Sequence, residues 1–391
     1  MAADSYTASG TRLIRTSDIA ADGSLRDAEF GIFVEEAVGP RHELQSGDIL
    51  LSRSGTLGRS FLVPEEANGH TYAGFLIRFR PRKSVEPRFL SYVTQSVKFQ
   101  EAVHSQAVAS TIQNFNADRY ANIPMCAPAL EEQCRIADFL DAETARIGLM
   151  VRLRDRQIRL TEERASSALE DAFNRASHKL TRLKYLLAVK PRYGVLVPQF
   201  ADAGVRFIRV NDLLDLPGRA ESLAKIPDSL SAQYARTVAR PGDVLLSVVG
   251  TMGRSAVVPP ELAGANVARA VASLRPQTGV SPQLMSTWLT TPSFLRQAVD
   301  VTSSDTAQPT LGMEDLGNFN LSWPVAAESQ EDLLRATGAI RERRDNLVQL
   351  LRGQLQLLAE RRQALITAAV TGQFDVSTAS GRNVTDGVTA S

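Results

Sequence analysis

The residues of this sequence that could do chemistry are scattered, and most of the common catalytic arrangements are missing. The six lysines are Lys83, Lys98, Lys179, Lys184, Lys190 and Lys225. None follows a glycine, so Gly-Thr-Leu-Gly-Arg-Ser60 lacks the Gly-Lys-Ser/Thr ending that places a lysine on a phosphate. None has an acidic residue two positions earlier, the spacing that common magnesium nucleases need. Cys126 and Cys134 cannot by themselves build a disulfide framework or a four-ligand zinc site, and read as small core or helix-face residues. His42, His70, His104 and His178 have no carboxylate at metal-ligand spacing. There is no Asn/Asp-Pro-Pro-aromatic motif for a flipped base, no dinucleotide fingerprint, no Gly-x-Ser-x-Gly elbow and no His-Glu-x-x-His pair. The chemistry on offer is binding rather than catalysis.

What remains are guanidinium, amide and hydroxyl groups around two glycine loops. In the first half Arg53, Ser54, Thr56 and Arg59 surround Gly-Thr-Leu-Gly58, with Arg15, Arg78, Arg80 and Lys83 in neighbouring segments and Gln113 and Asn114 in a later polar loop. In the second half the corresponding set is Arg192, Tyr193, Arg209, Asn211, Thr251, Arg254, Arg269 and Gln308, with Lys190 and Arg275 nearby. Arginine and lysine suit phosphate contacts, while guanidinium and amide groups read base edges. Any one surface arginine is as readily explained by solvation; the pattern carries weight because it occurs twice.

The elements that must position these groups are duplicated. Gly47-Asp-Ile-Leu-Leu-Ser-Arg-Ser-Gly-Thr-Leu-Gly-Arg-Ser60 returns as Gly242-Asp-Val-Leu-Leu-Ser-Val-Val-Gly-Thr-Met-Gly-Arg-Ser255, an offset of 242 − 47 = 195. Gly10-Thr-Arg-Leu-Ile-Arg and Gly204-Val-Arg-Phe-Ile-Arg, offset by 204 − 10 = 194, read as short strands entering a polar turn. The aliphatic runs after Gly-Asp read as buried strands leaving through a tight glycine loop. Phe61-Leu-Val-Pro64 and Ala256-Val-Val-Pro259 read as return strands, and 87–103 and 282–299 as amphipathic helices. After polar loops in which the register slips, Ile123-Pro-Met-Cys-Ala-Pro128 and Phe319-Asn-Leu-Ser-Trp-Pro324 read as strands stopped by proline.

A long helix follows each proline. Ile136, Leu140, Ile147, Val151, Ile158, Ala165 and Leu169 form a heptad-compatible stripe, as do Leu333, Ile340, Leu347, Leu351, Leu358, Leu365 and Ala369. Each helix therefore wants a partner, and antiparallel pairing of the two is the economical arrangement. A helix of ~40 residues is about 60 Å long, which suits a spacer better than a core element.

Composition bounds the partners. With 44 Lys+Arg against 43 Asp+Glu there is no global basic excess, so a nucleic-acid surface must be local. No apolar run approaches the ~20 residues that span a bilayer, and no basic-then-apolar leader opens the sequence, which points to a cytoplasmic location. Residues identical in both copies, such as Gly55/Gly250, Thr56/Thr251, Gly58/Gly253 and Arg59/Arg254, suit scaffolding or phosphate contact. Discrimination is expected where the copies differ: Ser110 to Asn114 against Thr302 to Gln308, and Arg53/Ser54 against Val248/Val249.

In this layout the chain resembles the specificity subunits of type I restriction-modification systems. The resemblance rests on the duplicated Gly-Asp-Ile/Val-Leu-Leu-Ser and Gly-Thr-x-Gly, on a proline followed by Glu-Glu-Gln133 or Glu-Ser-Gln330 opening each long helix, and on the ending Arg362-Gln-Ala-Leu-Ile-Thr-Ala-Ala-Val-Thr-Gly-Gln-Phe-Asp375. It implies an α+β fold with an internal pseudo-two-fold repeat: two similar mixed α/β target-recognition domains separated by two long helices in an antiparallel coiled coil. The expected divisions are a first recognition domain at 1–128, a helix at 129–176, a second domain at 177–325, a helix at 326–373 and a disordered tail at 374–391. The function implied is that of a non-catalytic subunit. It would read a bipartite site in double-stranded DNA and scaffold two adenine-N6 methyltransferase subunits, which carry S-adenosylmethionine, with restriction subunits able to join. A coiled-coil adaptor that binds only protein is the alternative. One departure stands out: Leu180 to Gly194 precede the second Gly-Val-Arg-Phe-Ile-Arg, whereas only nine residues precede Gly10. The first domain is therefore expected to lack its opening strand and to expose a sheet edge, a segment of about 20 residues being absent.

Overall fold

The computed structural model describes residues 6–7, 9–20, 23–26, 31–35, 39, 41–107, 115–177, 179–250, 252–302, 310–373 and 375–376. The predicted tail falls almost wholly outside them, as do Gln113, Asn114, Thr251 and Gln308. The chain divides into two compact units: Met1–Asp155 with Arg352–Ser391, and Arg156–Leu351. Each unit takes a portion of both long helices.

In the first unit a small sheet has the order β1-β3-β2-β6, from β1 (Tyr6–Thr7), β2 (Thr11–Ile14), β3 (Ile32–Val34) and β6 (Thr71–Tyr72). A second sheet, β5-β4-β7, is built on β4 (Ile49–Ser52), with β5 (Ser60–Leu62) and β7 (Leu76–Phe79) antiparallel on either side. All four β4 residues are buried, as their apolar run and Gly-Asp entry predict. Helices α1 (Pro87–Gln95), α2 (Val97–Gln106) and α3 (Ala117–Ala121) follow, and then α4 (Leu130–Ala176).

The second unit repeats the plan. Strand β8 (Leu180–Arg182) comes first, then β9 (Arg192–Tyr193), β10 (Val205–Ile208), β11 (Ala224–Ile226) and α5 (Asp228–Gln233). The central sheet is β13-β12-β15-β9, with β12 (Val244–Ser247), β13 (Ser255–Val257) and β15 (Val271–Leu274) matching β4, β5 and β7. Strand β14 (Asn266–Val267) joins β10 in parallel, as β6 joins β2. Then come α6 (Pro282–Trp288), α7 (Pro292–Thr302), α8 (Met313–Asn318), β16 (Asn320–Ser322) and α9 (Ala327–Val370).

Three expectations are corrected. Segments 87–103 and 282–299 are each two helices, because a hydroxyl restarts the second: Ser96 Oγ accepts from Phe99 N, and Thr291 Oγ1, just before Pro292, accepts from Phe294 N. Residues 123–128 form no strand, although their counterpart β16 does, because β16 pairs with β8 and nothing described pairs with 123–128. Cys126 is exposed rather than a core residue.

Within the first unit, Ile136, Leu140 and Ile147 near the start of α4 share one core with Leu365, Ile366 and Ala369 near the end of α9, and Val151 and Leu358 pack against it. Within the second unit, Ala172 and Phe173 at the end of α4 share a core with Leu333 at the start of α9, and Ile340 packs against it. Start meets end in both, which is the antiparallel sense. Ile158 is half-buried and Leu351 buried. Leu347 is 41% exposed while Val348 is buried. A straight helix drifts against a strict seven-residue spacing, and that drift moves the buried line over by one residue.

The ending of α9 is bonded as well as packed. Arg362 donates to Gln95 Oε1, Gln363 Nε2 to the Gln95 carbonyl, and Val97 N to Thr367 Oγ1. The terminal motif thus grips the break between α1 and α2.

Candidate nucleic-acid interface

The glycines of the two loops take the same backbone conformation in both copies. Gly55 and Gly58 have φ of 74° and 75°, Gly250 and Gly253 of 72° and 83°, all in the left-handed region that favours glycine. Ser52 N donates to the Arg59 carbonyl and Ser247 N to the Arg254 carbonyl, so each loop is closed at the same rung. On the far side the chain returns from the divergent polar loop at one point: Phe115 N donates to the Arg53 carbonyl, and Leu311 N to the Val248 carbonyl. The divergent loops therefore rejoin the fold directly beside the conserved ones.

What holds the loops differs. In the first copy the buried Tyr120 hydroxyl donates to the Ser52 carbonyl (2.6 Å) and accepts from Gly58 N (3.1 Å). Burial pushes that hydroxyl up to about 12, so it stays protonated. Gln100 Nε2 donates to the Gly58 carbonyl at 2.9 Å. In the second copy Leu316 is buried in the apolar core, and the Leu295 side chain is what a Cβ on Gly253 would meet.

Several predicted contact residues are held by internal partners. Arg80 makes a two-pronged ion pair with buried Asp48, at 2.7 Å on both prongs, and Arg275 does the same with Asp243 at 2.8 Å. In each copy the Asp of the Gly-Asp turn is thus tied to the arginine of Arg-Pro. Arg15 pairs with Asp18 at 2.8 Å and Arg209 with Asp212 at 3.3 Å, closing the turn after β2 and β10. These guanidinium groups are raised above their ordinary range at Arg15, Arg80 and Arg275, first by the hydrogen bond to the carboxylate.

Others bind backbone or side-chain acceptors. Arg59 donates to the Ile19 carbonyl, Arg78 to the Glu43 carbonyl, Arg192 to the Arg236 carbonyl, and Arg254 to Asn211 Oδ1 at 3.4 Å. The Tyr193 hydroxyl donates to the Leu311 carbonyl. Thr56, Lys83 and Arg269 are exposed, while Arg53 and Ser54 are half-buried beside the loop.

Sequence reasoning missed the buried partners. The aspartates could have been found from the repeat, since Asp48/Arg80 and Asp243/Arg275 keep the same separation of 32 residues. It also missed Gln133 and Gln330, read only as the end of the motif that opens each long helix. Both are buried, and each Oε1 accepts a backbone N–H, from Glu86 and Ser281 respectively, at 2.9 Å. Their Nε2 groups donate to the Ser84 and Pro128 carbonyls and to the Gly279 carbonyl. Each glutamine clamps the start of a long helix to the loop before α1 or α6.

Among the described residues, no group of His, Cys, Asp and Glu side chains is placed to hold a metal ion, and no helix is long and apolar enough to cross a membrane.

Residues 39–156 match the family model described as the type I restriction modification DNA specificity domain. Over 184 residues the chain is 28% identical to the type I restriction enzyme EcoBI specificity subunit of Escherichia coli, covering 46% of this chain and 38% of that protein. The match thus spans well under half the relative's length. A solved structure described as the structural basis underlying complex assembly and conformational transition of the type I R-M system superposes with a TM-score of 0.69 at 20% identity, over 93% of this chain and 92% of that one. The HsdS subunit from Thermoanaerobacter tengcongensis gives 0.49 at 21% identity, over 93% and 91%. At such identities the first of these likenesses speaks to the fold, which is the duplicated α/β plan with two long helices. Residues 39–156 match the specificity-domain model, and over 184 residues the chain is similar to a type I restriction enzyme specificity subunit.

Proposed function

We propose that this chain is a non-catalytic DNA-reading subunit that recognises a split sequence, one half per module. The observation that supports it best is the pairing of like with unlike. Two glycine pairs of like backbone conformation each stand close to the residue, Phe115 or Leu311, at which the chain re-enters after a stretch whose sequence differs between the copies. Exposed Thr56, Lys83 and Arg269 serve phosphates, and the divergent loops, which include Gln113, Asn114 and Gln308, carry base readout. Arg15, Arg80 and Arg209 act through the frame by bonding Asp18, Asp48 and Asp212. The number of base pairs left unread follows the length of the two long helices.

The partners in this reading are double-stranded DNA and two modification subunits, with restriction subunits as further members, in the cytoplasm. S-adenosylmethionine belongs to the modification subunits. Leu149 and Leu153 are exposed four residues apart on the part of α4 in the first unit, an apolar pair suited to a partner's helix.

The test is DNA binding as a function of salt with the purified complex. A reader that neutralises several phosphates loses affinity steeply as salt rises, with a slope of roughly −0.9 per phosphate. Replacing residues 303–309 by 108–114 is expected to change the sequence recognised by the second module alone. Unchanged specificity after that exchange would overturn the assignment of base readout to these loops.

A further inference from the structure

At one end of the second unit's central sheet three chain segments emerge together. Ser247, the last residue of β12, is paired with Val271, and Ala272 with Tyr193, so β12 ends, β15 begins and β9 ends along one line. Past that line lie the glycine loop after β12, Arg269 and Ala270 ahead of β15, and the residues that follow Tyr193. Leu311, where the chain returns from the divergent stretch, is bonded to the same place: its N–H donates to the Val248 carbonyl, and its carbonyl accepts from the Tyr193 hydroxyl at 2.7 Å. The segment after β9 therefore stands at the edge that carries both the glycine loop and the return of the divergent stretch.

That segment is fixed at both ends and bare between them. At its start Gly194 packs so tightly that a Cβ there would come within 1.9 Å of the Val267 carbonyl oxygen, and Val195 is held by two backbone bonds, its N–H donating to the Val267 carbonyl and its carbonyl accepting from Arg269 N. At its end Phe200 meets the buried Phe207 ring edge to face, the centroids 6.1 Å apart, and Ala201 N donates to the Lys225 carbonyl. Between these anchors Leu196 is 55% and Val197 70% exposed, and Pro198 fixes one further backbone angle. Two aliphatic side chains are thus held out into solvent from a stiff loop, beside the exposed Arg269. Neither can make a hydrogen bond, so against a base edge in the major groove they suit its one apolar feature, the C5-methyl group of thymine.

We propose that Leu196 and Val197 read thymine in the half-site of the second module by covering its C5-methyl group, with Arg269 on a neighbouring phosphate. The inference rests on the DNA-reading function proposed above, and it extends base readout from the divergent stretch to a second segment at the same edge. The cation beside the two side chains and the divergent stretch joined to Tyr193 favour a duplex over an apolar protein surface as the occupant.

The test uses the full chain in complex with the methyltransferase proposed as its partner, and duplexes that this complex selects from a random-sequence pool. Thymines of the selected site are replaced one at a time by deoxyuridine, which lacks only the C5-methyl group. At one or two thymines, all in the same half of the site, the replacement is expected to weaken binding about fourfold, the effect of returning one buried methyl group to water. The double variant Leu196→Ser, Val197→Ser changes two exposed side chains, so it is expected to melt with the parent; it should bind the thymine duplex about as weakly as the parent binds the deoxyuridine one and no longer distinguish the two. Sequence-specific binding that ignores every replacement would overturn the proposal while leaving the DNA-reading function intact, as would a double variant that stays as sensitive as the parent. A double variant that no longer joins the methyltransferase would make the pair a protein contact instead. If no sequence is selected at all, the DNA-reading function itself fails and the proposal falls with it.

Discussion

The two modules share a frame and differ in how it is closed. The aspartate–arginine pair behind the Gly-Asp turn, the glutamine clamp at the long helix and the left-handed glycines recur with matching geometry. The glycine loop, by contrast, is tied by the Tyr120 hydroxyl and the Gln100 amide in the first module and rests on apolar side chains in the second. Among the described residues the central sheet has three strands in the first and four in the second. Polar groups that must be satisfied in burial define the frame, because leaving one unpaired costs about 1–3 kcal/mol and no neighbouring apolar group can make up the missing bond. Apolar packing and edge pairing are free to diverge.

Removing the buried ion pairs is expected to have the largest effect. Arg275→Ala strands the Asp243 carboxylate, 2% exposed, and is expected to cost about 3–5 kcal/mol. Arg80→Ala should cost about half of that, since the Arg80 side chain is 42% exposed and water reaches Asp48 once it is gone. Hydrogen exchange at β4 and β12 amides reads the two losses separately; equal losses would contradict the difference in solvent access.

Next come the clamps. Gln133→Leu and Gln330→Leu each leave a buried N–H unpaired, a cost of about 1–3 kcal/mol. Gln133 also serves two carbonyls where Gln330 serves one, so the first variant should melt lower than the second.

Tyr120→Phe should cost about 1–2 kcal/mol in the first module and weaken only that module's half-site. Because the folded hydroxyl is pushed up to about 12 from an ordinary value near 10, its contribution is fully present below about pH 10 and is lost as pH rises toward 12. A titration at lower pH would sharpen the comparison by showing that the hydroxyl is less buried than its bonds require.

Smallest for stability, and informative for binding, are Lys83→Ala and Arg269→Ala. Neither is expected to shift unfolding. Each should reduce the salt slope of DNA binding by about 1.

Much of this fold was legible because the chain carries its own comparison. The offset of 195 located β4 and β12, and the stripe from Ile136 to Ile147 located the helix face that is buried. The site was less legible. A guanidinium on a phosphate and one on a buried aspartate look alike in sequence, and only the structure shows Arg15, Arg80 and Arg209 bound inward. Residues 123–128 misled for a related reason: a strand exists only where a neighbour supplies hydrogen bonds, and β8 is far from β16 in sequence.

The most direct measurement is to co-express the chain with the methyltransferase proposed as its partner in a host lacking adenine methylation and map methylated adenines across the genome. The account predicts one asymmetric motif with two specified halves and an unread middle. A motif with a single specified half, or no sequence-dependent methylation from an assembled complex, would contradict it.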